Sequence, residues 1–214
     1  MNTLSRFAAF TLAAAISTST AGHADGLRFG QVQTHPSQGE VSVVSKAEAR
    51  LHTSTEGIHV SMYTKGLAPG HVHTLWLVTI NNPGACEATP CTSKDVLKRT
   101  TEVDADVGYA GGIVVGNNGR GQFAAYQPIG DLSGAWFEAG LKNTSNVEVH
   151  LVVNDHGPVI PSRLPEMLKT YRDGCTDESI PAPMPASARA QGEPGPNACR
   201  LVQFSIFEPE ETPS

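Results

Sequence analysis

The residues best suited to chemistry in this 214-residue chain are histidines that occur in pairs. His71 and His73 are one residue apart in GLAPGHVHTLW (66–76), and His150 and His156 lie in VEVHLVVNDHGP (147–158). Side chains in a β-strand repeat every two residues, so His71 and His73 share a face. Imidazole nitrogens suit zinc and copper, and three of them with one open position make a site that can exchange a ligand. The spacing therefore nominates His71, His73 and His150, with His156 nearby, as ligands for copper or zinc. In the competing reading these histidines complete hydrogen bonds where strands end, as interior polar groups must. His52 and His59 fall on polar faces and read as surface residues.

Other chemistry finds little support. The chain has no Gly-x-Ser-x-Gly elbow, no phosphate-binding glycine loop and no His-Glu-x-x-His. Asp155-His156 has the residue types of an acid–base pair, but neighbours on a strand point to opposite faces, so Asp155 is poorly placed to orient His156. The acidic stretch DGCTDE (173–178) lacks the spacing of a calcium loop and reads as a solvated turn. Asn143-Thr144-Ser145 matches a glycosylation acceptor, relevant only in a eukaryotic host.

The elements that must position the histidines are strands. Ala47–Thr53 alternates, Gly57–Thr64 sets Ile58, Val60 and Met62 on one face, and His71–Ile80 follows a Gly-Leu-Ala-Pro-Gly turn. Gly108–Val115 and Gly121–Gln127 flank Asn118-Gly119, a tight-hairpin signal. Val147–Val153 and Leu201–Phe207 complete the set, and Val41–Val44 is a candidate edge strand. The His71–Ile80 strand is apolar on both faces, which makes it central, with its histidines at an end where the core opens. One short helix is expected over Leu164–Arg172, begun by Pro165 and ended by Gly174. Residues 176–198 form a Pro/Ala/Gly-rich loop with no core of its own, and there are no internal repeats. With Gly 21, Pro 15 and only 17% charged residues, the composition supports an all-β chain: an antiparallel β-sandwich or small barrel.

Residues 1–24 carry Arg6, an apolar stretch from Phe7 to Ile16 and small residues up to Ala24, the order of a cleaved secretory signal peptide. The remaining organisation reads as a polar segment at 25–45, one sandwich domain over 46–209 and a tail at 210–214. The apolar stretch of about ten residues falls short of the roughly 20 needed to span a bilayer, so no transmembrane segment is expected and the mature chain reads as periplasmic or secreted. Cleavage removes the positive Arg6 and takes the formal charge from −6 to −7, which argues against nucleic acid as a partner. Four cysteines in an exported chain suggest two disulfides with three possible pairings. Cys86–Cys91 with Cys175–Cys199 is preferred, since each pair closes a loop marked by Pro and Gly, and thiolate metal binding is the competing use.

Two resemblances follow from these segments. GHVHTLWLVTINNPGAC (70–86), VGYAGGIVVG (107–116), EVHLVVNDHGP (148–158) and CRLVQFSIFEP (199–209) resemble the recurring blocks of a family of exported bacterial proteins of unknown function. GIHVSMYTKGLAPGHVH (57–73) is similar to the strand, Gly-Leu-x-Pro-Gly turn and His-x-His strand of copper/zinc superoxide dismutases and chordin-type (CHRD) domains. That second resemblance implies a superoxide-dismutase-like sandwich, places His71 and His73 at copper-ligand positions with His150 as third ligand, and keeps a Cys86–Cys199 disulfide open. No histidine lies between His73 and His150, so the bridging ligand and zinc loop of the dismutases are missing. The sequence thus favours a non-enzymatic exported β-sandwich protein of unknown role, whose best candidate site is a copper or zinc site at His71, His73 and His150. The alternatives are a metal-free envelope binding or structural module and, third, an enzyme using a histidine pocket.

Overall fold

The computed structural model describes residues 26–209, so the expected signal peptide and the tail at 210–214 lie outside the described residues. Among the described residues nine strands form two antiparallel sheets: β1 (Gly26–Gly30), β2 (Gln33–Thr34), β3 (Glu48–Thr53), β4 (Gly57–Thr64), β5 (His71–Ile80), β6 (Ala105–Val114), β7 (Gly121–Pro128), β8 (Glu148–Pro158) and β9 (Arg200–Phe207). The first sheet runs β1-β3-β4-β7 and the second β2-β9-β8-β5-β6, a sandwich and not a closed barrel. Alternation explains the interface between them. Leu51, Ile58, Val60, Met62 and Phe123 from one sheet meet Leu75, Leu77, Val149, Leu151 and Val153 from the other, all essentially buried. Burying each such side chain contributes about 1.5–3 kcal/mol.

The second sheet is buried on both faces. Its other side, carrying Trp76, Val78, Ile80 and Val152, lies beneath a layer of loops that supplies Val96, Val103, Trp136, Tyr171, Ile180 and Met184. Short helices α1 (Ser93–Lys98), α2 (Thr100–Val103), α3 (Leu164–Met167) and α4 (Ala186–Arg189) belong to this layer. Three anchors hold it down. Asp95 closes a capping box at the start of α1, accepting from the Thr92 N–H and hydroxyl, each at 2.9 Å, and from the Glu87 N–H, also at 2.9 Å. Asp106 on β6 accepts from the N–H groups of Trp136 (3.2 Å), Phe137 (3.0 Å) and Gly140 (2.9 Å). Disulfides Cys86–Cys91 (2.03 Å) and Cys175–Cys199 (2.00 Å) staple the two longest excursions. The Cys86–Cys199 pairing implied by the dismutase resemblance is not formed, because each cysteine is taken by a partner within its own loop.

Several boundaries differ from expectation. Val41–Val44 forms a single bridge, Gln33 to Val43, while residues 26–34 supply β1 and β2, so the sandwich takes in part of the weakly patterned N-terminal segment. The helix expected over Leu164–Arg172 is helical as α3 only to Met167. Beyond it the Leu168 carbonyl accepts from the Tyr109 hydroxyl at 2.8 Å and packs against β6 at Gly112, where any Cβ would lie 2.0 Å from that oxygen. No helix among the described residues is long and apolar enough to cross a membrane.

Candidate functional site

The four nominated histidines do not converge. In the β5–β8 register His73 lies opposite Asp155, whereas Val78 lies opposite His150. His150 is therefore five strand positions from the His73 level, about 17 Å at 3.4 Å per residue. It is also on the other side of the sheet. His73 keeps the parity of Leu75 and Leu77, which face the inter-sheet core, while His150 and His156 keep the parity of Val152, under the loop layer. The set His71, His73 and His150 thus fails as a ligand group through strand alternation.

The partner that β8 does bring to His71 and His73 is Asp155. Its Oδ1 accepts from the Gly157 N–H at 2.8 Å, lies 2.9 Å from His71 Nδ1 and 3.8 Å from His73 Nε2, while Oδ2 is 3.5 Å from Arg200 Nε. The two imidazoles are nearly parallel, with ring centroids 6.3 Å apart. His73 is 0% exposed, and neither ring nitrogen has a hydrogen-bond partner among the described residues. A buried polar group left unpaired costs about 1–3 kcal/mol. Burial pushes the His73 imidazole below its ordinary value, only partly offset by the Asp155 carboxylate, so the ring is held neutral. The His71 side chain remains about a quarter exposed, at the edge of a shallow pocket of about 470 Å³ shared with Asp155, Asn197 and Arg200.

His156 belongs to a closed relay. Trp76 Nε1 donates to Thr74 Oγ1 (2.9 Å), the Thr74 hydroxyl lies 2.9 Å from His156 Nε2, and His156 Nδ1 lies 3.1 Å from the Asp173 carbonyl. A carbonyl only accepts, so the proton is on Nδ1 and Nε2 accepts from Thr74. Burial depresses the pKa of this ring to about 4, against the smaller opposing pull of Asp173 and Asp155. The Cys175 sulfur is 3.6 Å from His156 Nδ1, and His156, Cys175 and Cys199 are, among the described residues, the one group whose ligand atoms all lie within 4.8 Å of one another. Both sulfurs are spent in the disulfide, and a metal needs thiolates, so the cluster offers it one imidazole at most in this state.

His150 is held by Glu148: Nε2 to Oε1 is 2.6 Å, and the same oxygen accepts the Cys91 N–H at 2.8 Å. His52 and His59 face each other across β3 and β4 on the outer face of the first sheet, where His59 packs on Tyr126 at 4.4 Å between ring centroids. In the acidic stretch, Asp173 pairs with Arg163 at 2.9 Å and Asp177 with Arg172 at 2.6 Å, so both serve the loop layer.

Sequence reasoning missed Asp155 as a partner of His71 and His73, although strand alternation already turned its side chain away from His156. Because Asp155 and His156 point to opposite faces, the carboxylate that cannot serve His156 is free to serve the face that carries His73. No family model matches the chain, and no curated protein or solved structure matches it.

Proposed function

We propose that this is an exported protein whose sandwich binds one copper or zinc ion through His71, His73 and Asp155. The observation that carries the reading is His73, a buried imidazole with both nitrogens unpartnered, beside a carboxylate. An ion about 2.1 Å from each of its ligands sets tetrahedral ligand atoms roughly 3.4 Å apart. The His71 and His73 distances to Asp155 Oδ1, 2.9 and 3.8 Å, bracket that value, and the remaining separation, between the two imidazoles, closes only when the His71 ring turns towards His73. Binding exchanges the His71–Asp155 hydrogen bond for two metal bonds, and the partly exposed His71 ring is free to turn for it. Two imidazoles and a carboxylate leave a fourth position open, and copper outranks zinc in intrinsic affinity for such donors. Export is supported by the signal-peptide pattern of residues 1–24 and by two disulfides, which persist in oxidising compartments. The dismutase-like segment supports the choice of His71 and His73, with Asp155 taking the role the resemblance implied for His150.

The test is metal content. Untagged protein is stripped with chelator, incubated with zinc or copper, dialysed, and assayed by mass spectrometry. About one retained ion per chain is expected for the wild type and for His150→Ala, with loss in His73→Leu and Asp155→Asn. Wild-type protein that retains no more metal than His73→Leu sinks the reading, and leaves the His71–Asp155 pair as a clamp on the strand end.

A further inference from the structure

A second feature lies on the opposite face of β5 and β8. Between that face and the loop layer is a cleft of about 500 Å³, within the range of small-molecule sites. Trp76, Trp136 and Tyr171 form one wall, with Tyr171 edge-on to both indoles at 5.3 and 4.8 Å and the indoles 5.4 Å apart. Val152 and Leu97 face it from the sheet and from α1. No Lys, Arg, Asp or Glu lines it among the described residues, so its chemistry suits an uncharged guest.

The lining also carries His35, Thr92, Ser93 and the Tyr171 hydroxyl, and two further polar groups lack a full set of partners. His150 gives Nε2 to the buried Glu148, and its Nδ1 makes no hydrogen bond among the described residues. Trp136, 7% exposed, leaves its Nε1–H with no acceptor among the described residues. The Trp136 N–H is sealed from the cleft, so the polar atom that a guest can reach and pair is His150 Nδ1. Both disulfides sit in the loops that roof the cleft, with Cys91 in its lining, so the walls are pre-organised and little ordering entropy opposes binding. We propose that this cleft binds a small, neutral, planar aromatic molecule carrying a hydroxyl group, a phenol in the broad sense. The rings hold its body by edge-to-face contact, and the hydroxyl donates to His150 Nδ1, the nitrogen that Glu148 does not engage. This site is independent of the metal reading and is tested in chelator.

The chain has two tryptophans, Trp76 and Trp136, and both line the cleft, so their emission responds to its occupancy, while the heat of binding, which the probes' own fluorescence does not disturb, fixes affinity and stoichiometry. The full secreted chain is titrated with 1-naphthol and, separately, with naphthalene, following emission and heat. The expected result is saturable 1:1 quenching by 1-naphthol, with naphthalene bound about tenfold more weakly, a difference of about 1.4 kcal/mol. Val152→Phe should fill the cleft and weaken 1-naphthol at least about tenfold, and Leu97→Phe, at a partly exposed position on α1, does the same if Val152→Phe does not fold. His150→Leu should bring 1-naphthol down to the level of naphthalene. Absence of saturation, or unchanged binding in whichever filled variant folds, overturns the site. Equal binding of the two probes by the wild type overturns the hydroxyl assignment.

Discussion

Lowering the pH from 7.5 to 4.5 should destabilise the protein by about 2.5 kcal/mol through His156 alone. The folded ring has a pKa of about 4, because burial opposes its charge and Nε2 is committed to accepting from Thr74. In the unfolded chain the ordinary value of 6.5 returns. Between those values the unfolded state binds the extra proton and the folded state does not, so stability is full above about 6.5 and falls towards 4. His73 and His35 are also depressed by burial and act in the same direction, so the total loss is larger. His156→Gln separates the contributions: the amide can accept from Thr74 and donate to the Asp173 carbonyl, but it does not titrate. Urea unfolding of both proteins at the two pH values gives a difference of differences. The wild type should lose about 2.5 kcal/mol more than the variant. Equal losses would refute both the tautomer and the burial argument.

Two further outcomes follow from the loop layer. Hydrogen bonds outweigh burial at Asp95 and hold its carboxyl at about 2, so Asp95→Asn should lower stability at pH 7 by roughly 2 kcal/mol and remove the part of acid unfolding that falls between pH 4 and 2, as read by urea midpoints across that range. The double change Cys175→Ser/Cys199→Ser opens a loop whose ends are 24 residues apart, a loss of about 3.5 kcal/mol by chain entropy, and hydrogen exchange should place the loosened amides at residues 160–199 while the inter-sheet strands stay protected.

The strands between the sheets were legible because their alternation is clean. Gly57–Thr64 and His71–Ile80 match β4 and β5 residue for residue. β1 was not legible because its pattern is inverted: Leu27 and Phe29 are 54% and 60% exposed, and the inward positions are Gly26, Arg28 and Gly30. The mixed polar face of β8 could not reveal that it is roofed, since the roof is built from turns and short helices without periodicity. For the same reason the cleft, its aromatic wall and the Glu148 partner of His150 left no trace in spacing. The candidate site was half legible. Parity joined His71 to His73, but Asp155 came into view only with the β5–β8 register, which depends on a shift between His71 and His73 that no local pattern encodes.

Both indoles lie where the second sheet meets the loop layer, Trp76 from β5 and Trp136 from the layer, and the core between the sheets contains none among the described residues. Tryptophan emission and far-ultraviolet circular dichroism are thus separate witnesses: one watches the roof, the other the sheets. In a denaturant series, coincident curves would mean that roof and sandwich melt as one cooperative unit. An emission change at lower denaturant would mean that the roof lifts from a sandwich still folded, and the interval between the midpoints would measure how firmly one layer is tied to the other.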